Sequence, residues 1–175
     1  MRPQKTVAVV GPECTGKTTL ARFLARHFHA RYVEEYARKY LSTRPSKQGC
    51  YDQSDLIAIT KGQILLEEAA RKSGASMVIV DTDLLVMRIW WFEKYGSVPK
   101  WLEDALDSQT ERHYLLMSPD IEWQNDPLRE SQFDRHRLFQ VYGSFLNERG
   151  DSFDVVSGQG KKRFATALKF LREPD

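Results

Sequence analysis

Residues 11 to 18 have the composition and spacing of a loop that binds phosphate groups. The sequence Gly-Pro-Glu-Cys-Thr-Gly-Lys-Thr matches the pattern G-x-x-x-x-G-K-[ST] at every position. A short apolar run at residues 6–10 precedes the loop, and apolar residues at helical spacing follow it. Strand, loop and helix in this order distinguish a true phosphate loop from a chance match. The segment therefore predicts a binding site for a nucleoside triphosphate.

The predicted loop offers both backbone and side-chain groups to the phosphates. At a helix start, free backbone N–H groups and the positive end of the dipole face an anion, and Gly11 and Gly16 let the backbone curl around it. Lys17 is predicted to reach the β and γ oxygens, and the Thr18 hydroxyl to ligate Mg²⁺. Cys14 is either a small residue that fits or a thiol whose pKa the dipole lowers. The predicted nucleotide site comprises Gly11, Pro12, Glu13, Cys14, Thr15, Gly16, Lys17, Thr18 and Thr19.

A second chemical signal lies where the apolar run 77–80 leads directly into Asp81-Thr82-Asp83. An apolar strand that ends in Asp typically supplies the carboxylate that accompanies a phosphate loop. Asp81 is predicted to hold Mg²⁺ through water, and Asp83 to face the acceptor of the phosphoryl group as a catalytic residue. The alternative for Asp83 is the N-cap of a helix that begins at Leu84.

The segment that follows the second predicted strand of the chain, residues 31–34, is placed to meet a second substrate. In open parallel sheets the carboxyl ends of the strands border the ligand crevice. Glu35 would accept hydrogen bonds from sugar hydroxyls, Tyr36 would stack on a ring, and Arg38 would meet a phosphate. The alternative is that the charged residues between 34 and 39 form a solvated helix face with i, i+4 pairs.

Residues 122–129, here called the lid segment, are irregular, polar and charged, and Asp134-Arg135 follows them. Phosphoryl transfer places negative charge on the γ-phosphoryl group, which mobile arginines can neutralise while closure excludes water. Arg129 and Arg135 are the candidates for this catalytic role. An ordinary charged surface loop is the alternative.

Composition narrows the class of protein further. The 175 residues predict a single domain over 1–175, and 26 basic against 24 acidic residues give no basis for a nucleic-acid or membrane partner. Cys14 and Cys50 lack disulfide or zinc spacing, and the four histidines form no metal motif. With no signal peptide and no apolar run of about 18 residues, we expect a cytoplasmic protein.

Predicted strands alternate with helical or loop segments along the whole chain. This order predicts an α/β fold of the P-loop type, a five-stranded parallel sheet with helices on both faces. We expect irregular structure at 43–52 and 118–133 and a last helix near 164–171. The strands are predicted near residues 5–10, 31–34, 77–81, 113–117 and 153–156.

Two other classes of triphosphate-using protein fit the sequence poorly. A GTPase should carry D-x-x-G, but Leu84 stands where Gly is needed after Asp81, and N-K-x-D does not occur. The run 156–160 is weakly similar to a transporter signature, but it follows the acidic strand instead of preceding it. It fits better as the loop after the last strand, where small-molecule kinases hold the adenine edge.

The motifs together resemble the nicotinamide riboside kinase domain of bifunctional or trifunctional bacterial NAD-biosynthesis proteins, within the P-loop, AAA-like group of ATPases and kinases. The resemblance covers residues 5–172 and implies that ATP phosphorylates the ribose 5′-hydroxyl of nicotinamide riboside, a small-molecule acceptor. It places Trp90, Trp123 and Asp126 in the acceptor site. It is carried by residues 11–20, 35–41, 81–83, Trp90, 119–123, Asp126 and Arg129, with agreement in spacing at Gly158 and Arg163.

Three departures from these relatives bear on the acceptor. Where they usually have Pro, Gly and Thr, this chain has Glu122, Pro127 and Met87. Pro127 fixes φ and removes a donor, so the lid segment is expected to move differently. The chain begins one strand before the phosphate loop, which predicts a stand-alone kinase or a piece of a longer protein.

Three functions remain open at this stage. They are a nicotinamide riboside kinase, a kinase of another nucleoside or small alcohol, and an ATP-binding regulator with slow hydrolysis and a protein partner. The Asp81-Thr82-Asp83 motif together with Glu35 favours an acceptor pocket and therefore the enzymes.

Overall fold

The computed structural model of the protein describes residues 4–44, 51–126, 129 and 132–171. Within these ranges the chain forms a five-stranded sheet in the order β2-β3-β1-β4-β5, and every neighbouring pair is parallel. The strands are β1 (Lys5–Val10), β2 (Arg31–Val33), β3 (Met77–Asp81), β4 (His113–Met117) and β5 (Phe153–Val156). The helices are α1 (Lys17–His27), α2 (Tyr36–Ser42), α3 (Gln53–Lys72), α4 (Leu84–Tyr95), α5 (Lys100–Asp107), α6 (Arg135–Arg149) and α7 (Lys161–Leu171).

The sheet separates two hydrophobic cores because successive residues of a strand point to opposite faces. In β1, Val7 and Val9 pack with α1 and α7, whereas Ala8 and Val10 pack with helices α2 to α6. All four side chains are fully buried. A parallel strand covered on both faces reads as a continuous apolar run, which is why the strand was recognisable from sequence.

The predicted fold class is confirmed, and four of the five strand ranges agree with the structure residue for residue. The second strand ends at Val33 instead of residue 34, because Val33 is the last residue that pairs with β3, opposite Val80. The expected irregular segment 43–52 includes residues 45–50, which lie outside the described residues together with Pro127. No helix in the described part of the chain combines the length and apolar character needed to cross a membrane.

The topology brings the chemically interesting segments to one edge of the sheet. Because all five strands are parallel, their carboxyl ends lie at the same edge of the sheet. The phosphate loop follows β1, the Asp81-Thr82-Asp83 segment closes β3, and Glu35 follows β2. The hydrogen bond from Thr82 N to Val9 O (3.2 Å) holds the ends of the two central strands together.

Candidate active site

The phosphate loop has the backbone geometry of an anion cradle. Gly11 adopts φ 132°, and a Cβ on it would lie 3.0 Å from the Met117 carbonyl oxygen, so this position requires glycine. Helix α1 begins after Gly16, which has φ 79°, with no side-chain cap and no acidic residue in its first turn. Its free N–H groups and dipole therefore favour an anion at this end. The geometry fits the predicted site for phosphates.

Lys17 carries the positive charge of this loop. Its ammonium group donates hydrogen bonds to the carbonyl oxygens of Gly11 (2.9 Å) and Pro12 (2.7 Å). Burial lowers the pKa of Lys17, and the nearby carboxylates of Glu35 and Asp81 act in the opposite direction. The side chain thus lies between the phosphate loop and two acidic groups, where a triphosphate would compete for it.

A buried arginine that the sequence analysis noted only by its spacing holds the loop in place. Arg163, 4% exposed, donates to the carbonyl oxygens of Thr15 (2.7 Å) and Ser118 (3.1 Å) through its two terminal nitrogens. Its Nε donates to the Gly158 carbonyl (2.7 Å), and it forms an ion pair with Asp120. One side chain therefore joins the phosphate loop to the loops that follow β4 and β5.

The carboxylate of Asp81 has one oxygen suited to a metal ion. Asp81 is fully buried, and Oδ2 accepts a hydrogen bond from the Tyr32 hydroxyl (3.1 Å). Oδ1 has no hydrogen-bond partner among the described groups. Burial raises the pKa of Asp81, while the Thr18 hydroxyl lies close enough to lower it by hydrogen bonding. Two hard oxygen donors meet beside the phosphate loop, so these residues fit Mg²⁺.

Asp83 forms the N-cap of α4, in agreement with the alternative left open by the sequence. Its Oδ1 accepts from Leu85 N (3.1 Å), and Oδ2 lies 3.4 Å from Arg112, which also binds Glu67 of α3 through two nitrogens. The side chain is fully buried and does not line the cavity described below. Burial raises the pKa of Asp83 to about 6, against the opposing effect of Arg112. A direct role in catalysis stays a prediction that this geometry does not favour.

One cavity of about 480 Å³ extends from the phosphate loop along α4, from Val86 to Lys94, and is also bordered by Leu138 and Tyr142 of α6. Every residue of the predicted nucleotide site, from Gly11 to Thr19, borders it. Of the predicted acceptor and catalytic side chains outside the loop, Glu35, Arg38, Trp90 and Arg129 line it. The cavity therefore joins a candidate donor site to a candidate acceptor site without a barrier between them.

Glu35 borders the cavity near Lys17 of the phosphate loop. Burial raises its pKa, and the ammonium group of Lys17 opposes that shift. The guanidinium group of Arg38 lies 3.7 Å from Glu35 and donates a 2.9 Å hydrogen bond to Asp126. A carboxylate with a raised pKa is a stronger base than an exposed one, so Glu35 is a candidate to accept a proton beside the phosphate loop.

The end of the cavity away from the phosphate loop contains Tyr51, Trp90 and Lys94, a set that we call the distal pocket. The Tyr51 and Trp90 rings pack edge to face, 4.8 Å apart at 69°, and Trp90 Nε1 donates to the Tyr51 hydroxyl. Lys94 donates to the Tyr51 carbonyl (2.8 Å) with its ammonium 3.2 Å from the ring centroid. Sequence reasoning missed Tyr51 and Lys94, because nothing in their local sequence marks a binding residue.

The described part of the lid segment contacts the phosphate loop through Cys14. The Cys14 thiol donates to the Glu122 carbonyl (3.4 Å) and accepts from Gln124 N (3.1 Å). Arg135 donates to the carbonyl oxygens of Cys14 (3.2 Å) and Ile121 (2.9 Å). The side chains of Cys14 and Arg135 thus join the phosphate loop to main-chain atoms of residues 121–124.

The two predicted mobile arginines, Arg129 and Arg135, occupy different environments. Arg129 lines the cavity, donates to the Gln124 carbonyl, and lies close enough to Lys17 to lower its pKa. Arg135 does not border the cavity, and its guanidinium lies 5.6 Å from the Trp123 ring. Of the two, Arg129 is the one positioned to reach a phosphoryl group.

Besides Asp83, three of the predicted acceptor residues do not border this cavity. The Tyr36 ring lies against Gly62 of α3, where a Cβ would come within 2.2 Å of it, so stacking of Tyr36 on a substrate ring stays a prediction that this geometry does not favour. Trp123 donates from Nε1 to Asn125 (3.0 Å) within the lid segment. Asp126 is bound by Arg38 and stands 3.8 Å from Arg129. Both remain next to the cavity without lining it.

The all-parallel sheet, the phosphate loop at its carboxyl edge and the acidic end of β3 define a P-loop protein with the fold of the nucleoside kinases. The chain belongs to the AAA domain family, whose sequence profile matches residues 6–163. The family resemblance inferred from the motifs is thereby confirmed.

The relatives found by sequence are bacterial NAD-biosynthesis proteins. The chain is 25% identical over 173 residues to the trifunctional NAD biosynthesis/regulator protein NadR of Escherichia coli K12. Its identity to the protein of the same name from Salmonella typhimurium LT2 is also 25%. The match covers 97% of this chain, which spans 42% of the length of these relatives.

Solved structures agree with this relationship. A crystal structure of NadR in complex with NR superimposes with a TM-score of 0.82 at 25% identity, covering 95% of this chain and 49% of that one. The deoxyadenosine kinase of M. mycoides gives a TM-score of 0.69 at 12% identity, covering 95% of this chain and 98% of its own. At that identity the second likeness shows the fold alone.

Proposed function

We propose that this protein is an ATP-dependent kinase that transfers the γ-phosphoryl group to the ribose 5′-hydroxyl of nicotinamide riboside, giving the mononucleotide. The observation that carries the proposal is the continuous cavity. It is bordered by the phosphate loop, by Glu35 and by the aromatic side chains of Tyr51 and Trp90. A hydrolytic ATPase has no need of the second half of such a cavity. The expected partner is therefore a small molecule, and the expected compartment is the cytoplasm.

The donor end would act by position and charge. The loop backbone and Lys17 would hold the phosphates, and Thr18 with the free oxygen of Asp81 would hold Mg²⁺. Mg²⁺ bound by these two residues would neutralise part of the negative charge of the triphosphate. Arg129, which lines the cavity, would add positive charge near the γ-phosphoryl group.

The acceptor hydroxyl would lie beside Glu35. Phosphoryl transfer has a loose transition state in most analyses, so a carboxylate that orients the hydroxyl and takes its proton late is sufficient. Glu35 borders the cavity and has a raised pKa, whereas the Asp83 carboxylate is bound to Arg112 and to the start of α4. We therefore assign the role of base to Glu35 and that of cap to Asp83.

Nicotinamide riboside is favoured as acceptor by two separate observations. The relatives with the same domain over 97% of this chain are NAD-biosynthesis proteins, and one such structure was solved in complex with NR. The Trp90 ring lines the cavity, and an aromatic face attracts a flat pyridinium ring that carries positive charge. Met87, buried at the same cavity, adds an apolar side chain to this wall.

A second candidate is a kinase of another nucleoside. The ammonium group of Lys94 already occupies a face of the Tyr51 ring, which reduces what that ring offers to a cationic acceptor. A third is an ATP-binding regulator, since the curated relatives are described as regulators as well as biosynthetic proteins. The regulator would hydrolyse ATP at a rate that no nucleoside changes.

The test is ATP consumption by the purified protein with nicotinamide riboside, uridine, cytidine, thymidine or no acceptor. We expect nicotinamide riboside to stimulate consumption most and to yield the mononucleotide in equal amount. Equal stimulation by all four nucleosides would move the assignment to the second candidate. Slow consumption that none of them alters would move it to the regulator.

A further inference from the structure

Helix α4 runs along the cavity, so the position of a residue on this helix indicates its distance from the phosphate loop. Val86, Trp90 and Lys94 follow one another at intervals of four residues, and all three border the cavity. The helix begins beside the phosphate loop, since the preceding Thr82 is bonded to the end of β1. At about 1.5 Å per residue, Lys94 is about 12 Å beyond Val86 along the helix axis. Lys94 would therefore lie beside the part of a bound acceptor that is farthest from the reacting hydroxyl.

The charge of Lys94 is not balanced by a carboxylate in the described ranges of the chain. Its contacts there are the main-chain oxygen and the ring of Tyr51. The neighbouring acidic side chain, Glu93, is bound by Arg137 from α6. The distal pocket consequently presents an ammonium group beside two aromatic rings, and an ammonium group is a donor only.

A group on the acceptor ring that accepts hydrogen bonds suits this arrangement, and a negatively charged one suits it best. Charge-assisted hydrogen bonds are roughly twice as strong as those between neutral groups. A carboxamide oxygen would accept from Lys94, but a carboxylate would also offset the repulsion between the ammonium group and a pyridinium ring. Trp90 would stack on that ring one helical turn closer to the phosphate loop.

We propose that Lys94 is a specificity-determining residue that reads an oxygen substituent on the acceptor ring, and that the site accepts ribosides of a pyridine carboxylate at least as well as the corresponding carboxamide. This inference rests on the proposed function, because it takes the cavity to bind a pyridine riboside. It widens the substrate class from the amide to the acid of the same ring.

The experiment compares kcat/KM for nicotinate riboside and nicotinamide riboside in the wild type, Lys94→Met and Lys94→Arg. In the wild type we expect the acid to be used at least as efficiently as the amide. Lys94→Met should lower the acid-to-amide ratio about tenfold or more, chiefly through KM for the acid, as expected for loss of a hydrogen bond to a charged group. Lys94→Arg, which keeps the charge and the donors, should retain most of the preference.

Lys100→Met is the matched control, since Lys100 is an exposed lysine of α5 that pairs with Asp104 outside the cavity. It should leave the ratio unchanged. If the amide is phosphorylated but the ratio is the same in Lys94→Met as in the wild type, the inference about Lys94 is wrong and the kinase assignment stands. If neither riboside is phosphorylated, both the kinase assignment and the substrate class given to Lys94 are overturned.

Discussion

The two halves of the cavity are built by different means. The donor half is one contiguous loop whose backbone surrounds the phosphate site, held from behind by the buried guanidinium group of Arg163. The acceptor half is assembled from side chains of α2, α4 and α6 and of residues just before α2 and α3, including Glu35, Tyr51 and Trp90. Backbone geometry that a short motif specifies is constant among proteins that bind the same phosphates. A wall made of separate side chains can change one residue at a time, and this is where we expect substrate choice to reside.

Loss of the loop's cation should have the largest effect. Lys17→Ala should reduce turnover by ~10² or more, because a charge aimed at the transferred group is worth that much in rate. The fold should persist, because among the described residues the hydrogen bonds of Lys17 go to carbonyl oxygens of its own loop. Kinetics together with a thermal unfolding curve give the measurement, with the exposed Lys72→Ala as control. Undiminished turnover in a folded Lys17→Ala protein would falsify the donor assignment.

The next effect distinguishes the two carboxylates of the acceptor side. Glu35→Gln should lower phosphoryl transfer to the acceptor by ~10² or more, as removal of a general base does, with ATP binding unchanged. Asp83→Asn should transfer near the wild-type rate, because Asn caps a helix about as well as Asp. Single-turnover assays on both variants measure the contrast. The opposite ranking would make Asp83 the base and Glu35 a binding residue.

A smaller effect, confined to ATP binding, is expected from replacement of Arg163, the arginine that bonds to the phosphate loop. Arg163→Lys cannot reach the carbonyl oxygens of Thr15 and Gly158 together, so the loops after β1 and β5 should lose their fixed relation. We expect KM for ATP to rise about tenfold, the size of a lost buried hydrogen bond, while KM for the acceptor stays constant.

Arg149→Lys is the matched control for Arg163, since Arg149 also binds carboxylates but lies away from the cavity. It should leave both KM values unchanged. Equal rises in the two constants for Arg163→Lys would mean that the arginine supports the fold in general and not the donor half in particular.

The smallest effect concerns stability and arises from Asp83. Burial raises the pKa of this carboxyl from 3.8 to about 6, so the folded state holds its proton more tightly than the unfolded state does. The resulting stabilisation is complete below the unfolded pKa and is lost as the pH rises through about 6. Asp83→Asn removes this titration, so its free energy of unfolding should fall less than that of the wild type over this pH window. Urea unfolding at a series of pH values measures the difference, and parallel curves for the two proteins would contradict it.

Sequence alone predicted the donor half almost completely and the acceptor half only in part. The phosphate loop and the acidic end of β3 are local patterns, in which one short segment contains all the groups that act together. The same holds for the strands, whose apolar runs reflect burial on both faces.

The acceptor half depends on contacts between distant segments. Tyr36 follows β2 and was expected to face the crevice, but its ring turned toward α3 because Gly62 leaves room for it there. Tyr51 and Lys94 meet across more than forty positions, and Arg112 joins Glu67 to Asp83 across helices α3 and α4. Such pairings follow from how helices pack, which no local pattern encodes.

The hydrogen bonds between Cys14 and the lid segment have a thermodynamic consequence. Because Cys14 belongs to the phosphate loop, the positions of Glu122 and Gln124 and the shape of that loop are not independent. A ligand whose binding alters one must alter the affinity for whatever binds the other, and the coupling free energy is equal in both directions. We therefore expect a ligand of the phosphate loop and a ligand that contacts the lid segment to change each other's affinity by the same factor.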